Sequence, residues 1–165
     1  MKRKMTVSEI ITVLYYLSYY LNSLTGKFSS NAFSQNLETG NKIHKKLGYS
    51  QDKYIFQRFV EVDGEYWQII GKPDEVNEEE GYIGELKTYR NKKKKEKIKE
   101  IAETQANIYC FLSGFPKFKV YLYDALEDKK TYEKEYEANY KKAEEDIKKA
   151  VRRKKKAHKL LKKLK

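Results

Sequence analysis

Apolar residues recur at helical spacing from the start of the chain. Ile10, Val13, Leu14, Leu17 and Leu21 follow the capping-box sequence Thr6-Val7-Ser8-Glu9 and run up to Asn22-Ser23 and Gly26. This spacing predicts a first helix over about residues 6–23. Phe33, Leu37, Gly40, His44 and Leu47 then share one stripe of a second helix, which ends at Gly48 and turns His44 inward. The period next changes from 3.6 to 2. Residues 54–62 alternate and are rich in β-formers, Asp63-Gly64 is a type I′ turn sequence, and residues 65–71 continue as a second strand, so a hairpin is expected. Residues 82–88 give a third strand after an acidic loop from Glu75 to Glu80. The run Lys92-Lys93-Lys94-Lys95 leads into a helix over about 96–113, with Ile98, Ala102, Gln105, Ile108, Tyr109 and Leu112 on its inner face and Gly114 closing it. Residues 117–124 make a fourth strand. From about 128 onward Tyr132, Tyr136, Tyr140, Ala143, Ile147 and Ala150 keep helical spacing, which predicts a long, mostly polar last helix. The order helix, helix, three strands, helix, strand, helix, with no internal repeat, indicates the α/β (α+β) class.

A chain of 165 residues suits one domain with a single core, expected to occupy residues 1–165. Its one cysteine, Cys110, lies in an apolar run, so no disulfide framework and no cysteine-ligated zinc or iron-sulfur site is expected within the chain. No apolar run approaches the roughly 20 residues that cross a bilayer, and Met1-Lys2-Arg3-Lys4 precedes no small-residue cleavage site. The expected setting is a reducing cytoplasm, that of the host if the protein is viral, with no membrane partner. The net charge of +12 is unevenly spread: residues 151–165 hold nine Lys or Arg and no acid, leaving 27 basic against 24 acidic residues before them. The basic character therefore reads mostly as a tail, either a solubilising helix end or a contact for phosphate backbones through residues such as Arg152 and Arg153.

Candidate chemistry concentrates between Gly71 and Lys87. Pro73-Asp74 is followed eleven residues later by Glu85-Leu86-Lys87 in a predicted strand, where Glu85 and Lys87 project from one face and Leu86 from the other. Two acids and a lysine brought to one point suit a divalent cation with hard oxygen ligands that orients water for attack on phosphorus. His44, and Gln105 with Tyr109 one turn apart on the next helix, are placed to converge there. Each has a plainer reading: a core histidine, a surface Glu85–Lys87 pair, a core tyrosine. Gln105 is harder to dismiss, because an unsatisfied amide on an apolar helix face costs on the order of 1–3 kcal/mol and calls for a buried partner.

The motifs Gly40-x-x-x-His44, Gly71-Lys72-Pro73-Asp74, Gly84-Glu85-Leu86-Lys87-Thr88 and Gln105-Ala106-Asn107-Ile108-Tyr109 resemble those of PD-(D/E)XK nucleases, in the RecB-like branch that also holds the CRISPR-associated adaptation exonucleases. The resemblance covers about residues 33–124. It implies a restriction-endonuclease-like αβββαβ core with a mixed central sheet flanked by helices, plus the N-terminal helix and a basic C-terminal helix over about 128–165. It further implies that His44, Asp74, Glu85 and the Leu86 carbonyl bind the metal. Asp74, Glu85 and Lys87 would carry catalysis, with Lys87 positioning or deprotonating the attacking water, and Gln105 and Tyr109 would hold the site and the DNA strand. Many RecB-like exonucleases carry four cysteines for an iron-sulfur cluster; this chain has only Cys110, which excludes one. Imidazole is softer than carboxylate oxygen, so Mn²⁺ is expected to serve better than Mg²⁺.

The function that follows is metal-dependent hydrolysis of DNA, on single strands, ends, flaps or other branched forms. Lys92, Lys93, Lys94, Lys95, Arg152 and Arg153 are candidates for the DNA backbone. The alternative is a non-catalytic nucleic-acid-binding module on the same scaffold, and a third reading is an interaction protein using its long last helix. Self-association is left open. Two acids held beside DNA phosphates weaken binding unless a metal neutralises them, which argues against the binding module.

Overall fold

The computed structural model describes residues 2–26, 40, 42–48 and 54–164. Its first helix starts where the capping sequence places it, with Thr6 Oγ1 accepting the Glu9 main-chain N–H at 3.0 Å. The expected single helix is two, α1 (Val7–Tyr15) and α2 (Leu17–Leu24), because Tyr16 leaves the helical region at φ −132° and ψ 48°. Ahead of the cap Lys4–Thr6 forms a strand, β1, too short for alternation to reveal. Segment α3 is described over residues 42–46 and contains His44; Phe33 and Leu37, assigned to the same stripe, lie outside the described residues.

Asp63 and Gly64 have φ of 51° and 82°, the positive pair that a type I′ turn requires. They join β2 (Phe56–Val62) to β3 (Glu65–Gly71) in the expected hairpin, and β1 pairs parallel with the other edge of β3. After Pro73-Asp74 the chain enters a second ladder in the order β4 (Glu75–Asn77), β5 (Tyr82–Tyr89), β6 (Lys117–Asp124) and β7 (Lys129–Glu137). Strand β4 lies within the segment expected as an acidic loop, paired antiparallel with β5 from Glu75↔Gly84 to Asn77↔Tyr82. Strands β5 and β6 are parallel, and a parallel pair needs a crossover. Here it is a 3₁₀ turn at Lys92–Lys94 followed by α4 (Lys95–Ser113), which Gly114 ends in the left-handed conformation at φ 84°. The architecture is mixed α/β, with helices flanking two mixed sheets.

Residues 129–137 correct the sequence reading. They form β7, antiparallel to β6 with a register shift between Leu122 and Tyr123, and the last helix, α5, begins at Tyr140 and runs to Leu164. Tyr132 and Tyr136 are four residues apart, a spacing that keeps two side chains together on a strand as well as on a helix. On the strand their hydroxyls meet at 2.6 Å, and the Tyr136 ring stacks on Phe118 with centroids 5.1 Å apart.

Helices α1, α4 and α5 contribute Ile10, Val13, Ala106, Ile108, Ile147 and Val151 to the main core, together with Trp67, Ile69 and Ile83 from the sheets. A smaller cluster of Ile43, Leu86, Tyr121 and Tyr123 lies on the other face of β5 and β6, against α3. Residues 151–164 of the basic block form the second half of α5, with Val151, Lys154 and Ala157 buried. Among the described residues no helix is long and apolar enough to cross a membrane.

Candidate active site

Strand alternation places Glu85 and Lys87 on one side of β5 and Leu86 on the other, and buried flanks fix this register: Glu85 is 2% exposed and Leu86 wholly buried. Lys87 Nζ lies 3.4 Å from Glu85 Oε1, with the lysine partly open to solvent. Asp74 arrives from the joint between the two sheets, where its Oδ2 accepts the Leu86 main-chain N–H at 2.9 Å. The same oxygen meets His44 Nε2 at 3.0 Å, while the opposite ring nitrogen, Nδ1, donates to the Gly40 carbonyl at 2.6 Å. Four of the predicted residues, from α3, the Pro73-Asp74 joint and β5, are thus brought to one point.

The electrostatics follow from burial. Desolvation, reinforced by the Asp74 charge, lifts the Glu85 carboxyl to about 8, against the opposing pull of Lys87 and His44. Burial lowers the His44 imidazole, but the hydrogen bond and charge of Asp74 and the Gly40 carbonyl outweigh it and raise the group to about 9. Burial also raises Asp74, yet His44, the Leu86 N–H and Lys87 together hold it below the usual carboxylate value. With both ring nitrogens facing acceptor oxygens, His44 is an imidazolium paired with an ionised Asp74, beside a protonated Glu85 near neutral pH.

Gln105 finds its buried partner on its own helix. Its Nε2 donates to Tyr109 Oη at 3.0 Å, and burial, with the nearby Glu85 charge, raises the Tyr109 phenol well above its ordinary value. Gly71 makes room for that ring, since a Cβ there would stand 2.5 Å from Tyr109 Cε1 and 2.7 Å from Val7 Cγ2. Sequence reasoning quoted Gly71 within a motif and missed this purpose. It also missed Tyr16. Burial raises the Tyr16 phenol and the Lys87 charge lowers it, which places the break between α1 and α2 beside the site; no periodicity marks that break.

The basic candidates are differently placed. Lys92 is paired with Glu127 at 2.9 Å, Lys93 and Lys94 are exposed, and Lys95 Nζ lies 5.8 Å from the centroid of the Tyr89 ring. Arg152 forms a fork on Asp63 with both distances 3.0 Å, and Arg153 donates to the Leu14 carbonyl at 3.2 Å, so both tie α5 to its neighbours. Cys110 is buried, donates to the Lys117 carbonyl at 3.3 Å, and has its thiol pushed up to about 12 by desolvation.

Whether the donors suit a divalent cation is decided by their chemistry and by one atom. Glu85 Oε2 is buried and has no hydrogen-bond partner among the described residues, a costly state for a carboxylate unless a proton or a cation meets it. His44 Nδ1 is anchored on a main-chain carbonyl, the arrangement that directs the other nitrogen of a metal-ligating histidine. Among the described residues no group of three His, Cys, Asp or Glu is placed to hold a metal ion. The carboxylates and the anchored imidazole fit the cation in type, and His44 must give up its contact with Asp74 to join them.

The chain shares its fold with solved exonucleases. The crystal structure of an alkaline exonuclease, LHK-Exo, from Laribacter hongkongensis superposes with a TM-score of 0.55 at 16% identity, covering 98% of this chain and 91% of that one. A phage-related exonuclease from Haemophilus somnus 129PT gives 0.51 at 15% identity, covering 96% and 82%. The crystal structure of SSO0001 gives 0.62 at 16% identity, covering 92% and 76%. LHK-Exo has also been crystallised in complex with dAMP. No family model matches the chain, and no curated protein matches its sequence.

Proposed function

We propose that this chain is a metal-dependent nuclease of the PD-(D/E)XK, RecB-like kind, hydrolysing DNA phosphodiester bonds at single strands, ends or flaps. The observation that carries the reading is the buried, unpartnered Glu85 oxygen beside Asp74, His44 and Lys87, on a fold shared with exonucleases. A divalent cation, Mn²⁺ or Mg²⁺, held by Asp74, Glu85, the Leu86 carbonyl and His44 Nε2 would supply Lewis acidity at the scissile phosphate and offset the repulsion between the carboxylates.

The chain's own groups do the rest. Lys87, tethered by Glu85 at 3.4 Å and reaching solvent, directs its ammonium donors at the attacking water and at the charge that grows on the phosphate. Asp74 is held in place by the Leu86 N–H, and His44 is aimed by Gly40. Gln105 and Tyr109 close the site from α4, leaving the side of Lys87 as the approach for a strand. Tyr16, whose phenol is raised by burial and lowered by the Lys87 charge, lies towards that approach.

End-labelled linear and circular DNA incubated with Mn²⁺, Mg²⁺ or EDTA tests the proposal. Asp74→Ala and Glu85→Ala are each expected to abolish cleavage while leaving the chain folded by circular dichroism. Cleavage at the wild-type rate by Glu85→Ala removes the proposed site, and cutting of circles identifies endonuclease action.

A further inference from the structure

Among the described residues a second concentration of basic side chains lies apart from the carboxylates. The start of the chain and the last turns of α5 enclose a groove of about 990 Å³ lined by Lys2, Lys4, Lys156, His158, Lys159 and Lys162. Lys155, His158, Lys159 and Lys162 stand at positions i, i+3, i+4 and i+7, which makes them one stripe of the helix. Beneath it the acid is already spent: Glu9 is paired with the buried Lys154 at 3.0 Å, and Lys155 is paired with Glu65 at 2.5 Å. Among the described residues, Lys2, Lys156, Lys159 and Lys162 have no ion pair or hydrogen bond from their side chains, and all four are exposed. Such a concentration of like charge is unfavourable by itself. The His158 imidazole beside it is lowered by burial and then by Lys154 and, more weakly, Lys162, against the opposing pull of Glu9.

The groove is rigidly built and separate from the candidate active site. Lys154 fixes its floor by joining Glu9 and the Lys4 carbonyl, so α1, β1 and α5 are locked together there. Lys4 pairs with Gln68 on β3, and Asp74 follows only after that strand has ended at Gly71; none of the groove's lining residues belongs to the carboxylate cluster.

We propose that this groove is a second binding site for the sugar-phosphate backbone of a nucleic-acid strand, with Lys156, Lys159 and Lys162 as its principal contacts. The inference rests on the nuclease reading for why a strand comes to this molecule, and on the groove's own charge and shape for where the strand lies. A polyanion fits better than a single phosphate because the free ammonium groups are spread along the helix and across to the start of the chain, while the buried ammonium in the floor, that of Lys154, is already engaged by Glu9 and the Lys4 carbonyl. The contacts are to phosphate, so binding is independent of base sequence and strongly dependent on salt.

The test is fluorescence anisotropy of a labelled single-stranded oligonucleotide in EDTA, which prevents cleavage. It compares wild type, the triple variant Lys156→Gln/Lys159→Gln/Lys162→Gln, and the charge-matched control Lys134→Gln/Lys141→Gln/Lys149→Gln. The groove variant is expected to bind about tenfold more weakly at low salt, with the slope of log K against log salt shallower by about 2, while the control stays near wild type. The imidazole NMR signals of His158 and His44, the only two histidines, report the two sites separately. DNA is expected to move the His158 signals in EDTA. An unchanged slope in the groove variant, an equal loss in the control, or a His158 signal that DNA leaves in place would overturn the proposal, as would capture by anionic phospholipid vesicles without DNA binding. Hydrolysis of a small chromogenic phosphodiester reads the carboxylate site alone and is expected to be equal in wild type and the groove variant. Its absence in wild type, with the DNA-binding result as expected, removes the nuclease reading and leaves the groove standing.

Discussion

Glu85 and His44 are held protonated for opposite reasons. Desolvation keeps Glu85 protonated to about 8, and the Asp74 contact keeps His44 protonated to about 9 despite burial. In the unfolded chain the same groups release their protons near 4.5 and 6.5. Both folded values are raised, so the stability these groups confer is full below the unfolded values and is lost as pH rises through the folded ones. The proposed cation would compete with those protons, so the gain in Tm produced by Mn²⁺ is expected to grow between 6.5 and about 9. Melting curves in Mn²⁺ and in EDTA read this directly; a gain that stays constant across the window contradicts the assigned ligands. Gly71 supplies a prediction of stability alone. Gly71→Ala drives a methyl into the Tyr109 ring and Val7, and is expected to cost about 1–3 kcal/mol, visible as a fall in Tm. A Tm equal to wild type would mean that the ring yields freely. The sequence made Asp74, Glu85, Lys87 and His44 legible because acids, a lysine and a histidine are conspicuous at strand and helix positions. Tyr16 was invisible because its place depends on a helix break that has no pattern.

Among the elements, those with long regular stretches were legible and the short or ambiguous ones were not. The β2–β3 hairpin declared itself through alternation and Asp63-Gly64, and α4 through its apolar face. Strands β1 and β4, three residues each, show no period, and their pairing is set by β3 and β5 rather than by their own residues. Strand β7 was hidden by tyrosines at a spacing common to both periods. Helix α5 shows how charge misleads: nine basic residues look like a solvated tail, yet Lys154 is only 8% exposed and holds Glu9 and the Lys4 carbonyl. Removing Glu9 alone leaves that ammonium in a buried place without its acid, so Glu9→Ala is expected to destabilise the protein by about 3 kcal/mol. Glu9→Gln/Lys154→Met, which removes both charges and keeps the volume, is expected to recover much of the loss in denaturant unfolding. A double variant as unstable as Glu9→Ala would deny the pair its part in fastening α5 to α1.

Across the whole molecule, two features with different chemistry are separated in space. A nearly neutral, buried cluster of carboxylates lies where the two ladders meet, and an exposed basic groove lies where the start of the chain meets α5. On the proposed reading the first takes a phosphate with the help of a metal, and the second attracts phosphates without one. The sequence supplied the excess charge but not its position, because only folding shows that Arg152 and Arg153 serve the structure and that Lys156, Lys159 and Lys162 are exposed and line one groove. The central claim is that the carboxylate cluster cuts DNA with Lys87 as its cation at the phosphate. Its most direct test is cleavage of end-labelled DNA by wild type and Lys87→Ala, after calorimetry has shown that both bind Mn²⁺. The account predicts cleavage by wild type in Mn²⁺, slower in Mg²⁺ and absent in EDTA, with Lys87→Ala at least about a hundredfold slower while still binding metal and DNA. Equal rates in the two proteins, or DNA binding by wild type without cleavage under either metal, would contradict it.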